Sequence, residues 1–195
     1  MLIRKSSKAK KAAIMAMTGS LYAIFFALSF SVTLPGFTLL YLPIILLGVF
    51  PLWFGWSGLV GSLIGGLIGG AFVEGLGFLG VFESVVALLI YMINWVLIPK
   101  GAAEDGKTKN LIALLGVYTL SLFVGTSYIL WQYTVLPQLF EGSQALAILV
   151  TTFALNLPIV LVICPALIRA ISPKLRIWGV YSGNLREWLS NRNKV

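Results

Sequence analysis

The chain has 195 residues, 59% of them hydrophobic and only 10% charged, with a mean hydropathy of +0.98. Soluble domains carry about 25% charged residues, so that class is excluded. Fourteen Lys and Arg against six Asp and Glu give a net charge of +8, and the absence of histidine, with Cys164 the one cysteine, excludes disulfides, thiolate metal centres and histidine-based catalysis.

What remains is an all-α polytopic membrane protein. Its length holds a single bundle of about six spans of about 20 residues, with no room for a separate soluble domain. All fourteen basic residues fall in Arg4 to Lys11, Lys100 to Lys109 and Arg169 to Lys194. These are flanks and one loop, so the charge reads as positive-inside topology with attraction to the lipid bilayer, and not as a nucleic-acid surface. The expected organisation is a basic cytoplasmic N-terminus over 1–11, a transmembrane domain over 12–171 and a basic cytoplasmic tail over 172–195.

The first span is expected from Ala12 to Val32. It is too long for the apolar region of a signal peptide, and Pro35-Gly36 ends it in a turn. Within it Ala12, Ala16 and Ser20 form a small-residue ridge at spacing four, with Ala23 and Ala27 beside it. Such a ridge serves internal packing or the docking of another membrane subunit. A short second span is expected from Thr38 to Phe50, bent or delayed by Pro43 and closed by Pro51. Trp53, Phe54 and Trp56 stand where an interfacial aromatic belt would lie.

The third span, Gly55 to Val73, carries Gly58, Gly61, Gly65 and Gly69 at spacings of three and four, with Gly66 and Gly70 widening the strip. Each interior glycine costs a helix up to about 1 kcal/mol in water. In a membrane the same strip admits another backbone at close range. Glu74 follows at the helix end, and Glu83 lies inside the fourth span, Val81 to Ile98, which Pro99 stops. After the hydrophilic Lys100 to Asn110 loop, the fifth span runs from Leu111 to Tyr133. A sixth and longer span, Gln144 to Ile171, is interrupted by Pro158 and Pro165, where a kink is expected. In the tail, Leu185, Trp188 and Leu189 share one helical face, a pattern that suits an amphipathic helix on the inner leaflet or a solvated tail.

With six spans and a cytoplasmic N-terminus, every Lys and Arg lies inside, and the outer loops carry Glu74 and Glu141. Intramembrane ionisable residues mark functional sites, which puts Glu83 first, with snorkelling to the interface or simple protonation as its plain alternatives. Asn94 continues the Glu83 face about 16 Å deeper. Near the outer end of the fifth span, Tyr128, Trp131 and Gln132 share a face with Tyr133 beside them. Rings and an amide suit a flat polar organic molecule, whereas an interfacial belt is the competing role. Gln144, Thr152 and Asn156 lie at multiples of four on the sixth span, and Asn156 needs either a helix partner or a ligand.

The opening KAAIMAMTGSLYAIFFAL, a segment with a Pro-Gly turn, and LPIILLGVFPLWFGWSGLVGSLIGGLIGG together resemble the substrate-binding S component of energy-coupling factor transporters. The family's first-helix AxxxA motif is matched by Ala12 to Ala16, or by Ala16 to Ser20 with serine in second place. Its glycine-rich third helix is matched by Phe54-Gly55-Trp56-Ser57-Gly58. The resemblance implies a six-helix protein of the prokaryotic cytoplasmic membrane that captures a vitamin or vitamin-like molecule from outside. A membrane T subunit would dock on the Ala12, Ala16, Ser20 ridge, and two ATPase subunits would use the ATP. The chain itself would hold no cofactor or metal and would not be an enzyme. The region matching the family's pocket contains Glu74, Glu83, Tyr128, Trp131, Gln132 and Asn156. The chain has no GxxxxGK[ST] loop, so hydrolysis would need the partner. The competing function is an autonomous proton-coupled carrier or channel with Glu83 as titrating group. A membrane enzyme is the weakest class, because no carboxylates are paired for acid/base work or metal binding.

Overall fold

The computed structural model describes residues 8–29, 33–34, 37–38, 40–73, 78–101, 107–135 and 142–192. Helix α1 (Lys8–Ser29) is followed by a two-residue antiparallel ladder, β1 (Thr33–Leu34) against β2 (Phe37–Thr38), in which Thr33 pairs with Thr38 and Leu34 with Phe37. Then come α2 (Pro43–Phe54), α3 (Trp56–Val73), α4 (Phe78–Leu97), α5 (Thr108–Val135), α6 (Gly142–Ile177) and α7 (Leu185–Arg192). Three segments are long and apolar enough to cross a membrane: Lys8–Ser29, Thr108–Tyr128 and Gly142–Ile177. Shorter apolar helices over Pro43–Phe54, Trp56–Phe72 and Ser84–Leu97 accompany them.

The core is organised around α2. Every residue from Ile45 to Phe54 is buried, as a helix apolar on all sides requires. Its 12 residues cover about 18 Å, short of the ~30 Å of a hydrocarbon core. Both its ends lie against other parts of the chain. At the start, the Tyr41 N–H donates to Asn156 Oδ1 (2.9 Å) and the Leu42 N–H to Ser29 Oγ (2.9 Å), while Pro43 has no N–H to satisfy. At the far end, the carbonyls of Leu52 and Trp53 accept from the N–H groups of Gly183 (3.0 Å) and Ser182 (2.9 Å).

These caps correct the expected second span. Of the two roles expected for Pro43, it delays the start of the helix, which opens there, and does not bend it; Pro51 does not close it. An interior proline removes one backbone bond, but leaving the helix there would strand further amides in an apolar surround. The helix therefore runs on to Gly55, whose φ of 56° turns the chain into α3.

The glycine strip of α3 is the seat for α1. A Cβ on Gly61 would strike Thr18 Oγ1, one on Gly65 the Gly19 carbonyl, and one on Gly69 would lie 2.9 Å from the Phe26 ring. On the same strip Gly58 meets the Phe50 carbonyl of α2. Backbones meet here without intervening side chains, the small-residue packing that an apolar environment favours. A Cβ on Gly70 would meet nothing within 4 Å among the described residues, so the close backbone contact is narrower than the full run of glycines. Gly48 does the same for α2, admitting Cys164 Sγ of α6 and the Tyr118 ring of α5, whose hydroxyl donates to the Gly48 carbonyl at 2.8 Å.

Helix α6 is longer than the expected sixth span. It continues through Pro158, Pro165 and Pro173 to Ile177, 36 residues or about 54 Å. Gly179, at φ 64°, ends it in a Schellman turn, with Val180 N–H donating to the Leu175 carbonyl and Gly179 N–H to that of Arg176. The tail forms the expected short helix, with two of its three apolar face residues turned to the protein and Leu189 left 46% exposed. Asn184 caps α7 by exchanging bonds with Glu187: the Glu187 N–H to Asn184 Oδ1 at 2.9 Å, and the Asn184 N–H to Glu187 Oε2 at 3.1 Å. The helix then lays Leu185 and Trp188 against the protein core.

Candidate functional site

Two hydrogen-bonded layers lie at opposite ends of the bundle. The first surrounds Gly55. There the Trp95 indole donates to the Gly183 carbonyl (2.9 Å), Asn184 Nδ2 to the Ile98 carbonyl (3.1 Å) and the Trp53 indole to Ser172 Oγ (3.0 Å). Trp95 stacks on Trp56 at 6.3 Å and meets Trp188 edge-on at 5.5 Å. Each of these donors reaches a carbonyl or hydroxyl of another element, and the tail is the piece they share. Its polar chemistry is consumed internally.

From this layer α4 and α5 lead toward the other end, where the second layer lies. Asn94 Oδ1, one residue from Trp95, accepts from Ser121 Oγ of α5 at 2.6 Å, and one turn along, Gly125 faces Ile90. This antiparallel register brings Ala87 level with Tyr128, and Glu83 and Gln132 fall one turn beyond. Tyr128 and Trp131 lie ring to ring at 6.1 Å, with Trp131 49% exposed. That exposure suits the interfacial role for Trp131 better than enclosure of a ligand. Glu74 and the side chains of Glu83 and Gln132 lie outside the described residues.

Asn156 of α6 is 99% buried, its amide joining the Tyr41 N–H to the Thr152 carbonyl (2.8 Å). The hydroxyls of Tyr41 and Tyr22 meet one another, tying α1 into the same layer. Both asparagines singled out by the sequence thus hold helices and connecting backbone together. One turn before Asn156, Thr152 is 94% buried, and its Oγ1 has no hydrogen-bond partner among the described residues. The same holds for Ser127 Oγ on α5. Phe123 and Phe153 meet edge to face at 6.2 Å, which sets α5 beside α6 so that Ser127 and Thr152 fall in neighbouring turns.

Thr152 carries a weak sequence signal through its spacing from Asn156, but nothing in the sequence marks Ser127, Ser121 or the Tyr22–Tyr41 pair. Between Ala12 and Pro99, and between Asn110 and Ile168, there is no Lys or Arg. The layer therefore offers hydroxyls, an amide and rings, which recognise a polar molecule by directed hydrogen bonds and stacking. Among the described residues, no three His, Cys, Asp or Glu side chains come together to hold a metal.

On α1, the faces divide cleanly. Thr18, Gly19, Tyr22 and Phe26 are buried, with Gly61, Gly65 and Gly69 of α3 against them, while Ala12, Ala16 and Ser20 are exposed. The chain matches no known protein family, no curated protein and no solved structure.

Proposed function

We propose that the chain is the membrane-embedded solute-binding subunit of an ATP-driven importer of the energy-coupling factor type, capturing a vitamin or vitamin-like organic molecule from outside. In this reading α1 to α6 form a six-helix unit in a prokaryotic cytoplasmic membrane, with both termini in the cytoplasm. The tail-capped end then faces inward with the basic clusters, and the Thr152 layer faces outward with Glu83. The observation that carries the reading is the pair of buried hydroxyls, Thr152 Oγ1 and Ser127 Oγ, with no partner among the described residues. A polar group left unsatisfied in an apolar interior costs free energy that a polar solute would recover.

Two further features support it. The exposed ridge of Ala12, Ala16 and Ser20 offers a membrane T subunit a small-residue face. The chain lacks a P-loop, so ATP would be bound by two partner ATPase subunits. The test is to purify the chain alone, identify any co-purified small molecule by mass spectrometry, and repeat with Thr152→Val and Glu83→Gln. A bound vitamin-like compound that both variants release supports the proposal. Proton-driven uptake into liposomes by the chain alone, with no bound compound, would replace it with the autonomous carrier.

A further inference from the structure

The turn that closes α6 presents two large apolar side chains to the surroundings: Ile177 is 79% exposed and Trp178 67%. Lys10 fixes its depth, because the ammonium donates to the carbonyls of Trp178 (3.4 Å) and Gly179 (3.1 Å). Lys10 stands just before Ala12, where the apolar run of α1 begins. The turn is therefore level with the edge of that run, the depth at which Trp and basic residues meet lipid headgroups. Lys8 and Lys11 of α1, and Lys174 and Arg176 in the last turn of α6, are exposed around it. The only carboxylate after Glu141, Glu187, is engaged by the Asn184 backbone.

Lys174 and Arg176 also oppose the negative end of the α6 dipole. That role leaves Ile177 and Trp178 uncovered. They stay exposed beside α7, which turns Leu185 and Trp188 to the core and leaves Leu189 46% exposed. We propose that the Ile177–Trp178 turn is a docking surface for anionic lipid headgroups. The two apolar side chains sit at the interface, and Lys8, Lys11 and Lys174 pair with the phosphates, while the Arg176 guanidinium lies over the Tyr181 ring at 4.0 Å. Charge and depth both favour lipid over a protein partner, which would have to be acidic and apolar at once. The inference rests on residence in a membrane and not on the importer reading.

The test places the full chain in nanodiscs of phosphatidylcholine containing a minor fraction of brominated lipid, with bromines near the headgroup. That fraction is either phosphatidylcholine or phosphatidylglycerol. The emission of Trp178 is obtained as the difference between the wild type and Trp178→Phe. The expected result is quenching by both brominated lipids and stronger quenching by phosphatidylglycerol, with that excess falling by up to about fivefold in Lys174→Gln. Unchanged gel-filtration elution of each variant confirms folding. Equal quenching by the two lipids would overturn the anionic preference. Quenching by aqueous acrylamide alone would put the turn outside the bilayer and leave it to a protein partner, overturning the proposal altogether.

Discussion

At the Gly55 end, the carbonyls of Leu52, Trp53 and Ile98 and the indole of Trp95 each find a partner in the stretch Ser182 to Asn184. At the Thr152 end, backbone donors are equally well served by Asn156 and Ser29, yet the Thr152 and Ser127 hydroxyls have no partner among the described residues. Both ends use polar groups inside an apolar bundle, and they differ in whether those groups are exhausted. A layer that spends all its donors is structural. One that keeps some has capacity for another molecule.

The largest effect is expected from removing the tail. Truncation after Gly179 strips partners from four groups: the Leu52, Trp53 and Ile98 carbonyls and the Trp95 indole. At about 1–3 kcal/mol for each unsatisfied group, the loss is about 4 kcal/mol or more. Thermal unfolding in detergent, followed by near-ultraviolet dichroism of the Trp56–Trp95 pair, which both chains keep, should show a large fall in midpoint. A truncated chain that melts like the full one would erase the distinction between the ends. Next comes Gly65→Leu, whose side chain would have to displace the Gly19 backbone. Overpacking against backbone is expected to cost about 3 kcal/mol, seen as aggregation on gel filtration, whereas Gly70→Ala, whose Cβ meets nothing among the described residues, should elute unchanged.

That another backbone packs on α3 was legible because glycines at spacings of three and four have one dominant use in a membrane. Their partner was not, since Thr18 and Gly19 carry no mark that tells them from other small residues of α1. The ends of α2 were misread at Pro51 for a physical reason. A proline's local cost is visible in sequence, but the carbonyl partners that let the helix pass it lie at Ser182 and Gly183, far along the chain. The tail shows a related limit. An apolar stripe of Leu185, Trp188 and Leu189 looks the same whether it faces a membrane or a protein, and only the fold decides. The Asn184-x-x-Glu187 cap that marks where α7 starts was not read from the sequence, although its residue types have the spacing of a capping box. Asn94 and Asn156 were found from their burial in apolar spans, but their partners depend on helix register, which periodicity alone does not supply.

Smaller effects separate the remaining polar groups of the bundle from one another. Ser121→Ala removes the donor to Asn94 and is expected to cost about 0.6 kcal/mol, the usual scale for a side-chain bond between membrane helices. Asn156→Leu should cost more, about 1–3 kcal/mol, because it leaves the Tyr41 N–H without its acceptor at the entry to α2. The smallest change in stability is expected at Thr152. Thr152→Val keeps the shape and deletes a hydroxyl that has no partner among the described residues, so the folded state loses no hydrogen bond and sheds a desolvated group. The melting midpoint should stay level or rise slightly, and Ser127→Ala should behave alike. Solute binding should respond in the opposite sense, weakening while stability holds. If Thr152→Val instead lowers the midpoint as much as Asn156→Leu, the hydroxyl is spent on holding the bundle. The two ends would then be of one kind, and the reserve of unpaired donors on which the binding proposal stands would be gone.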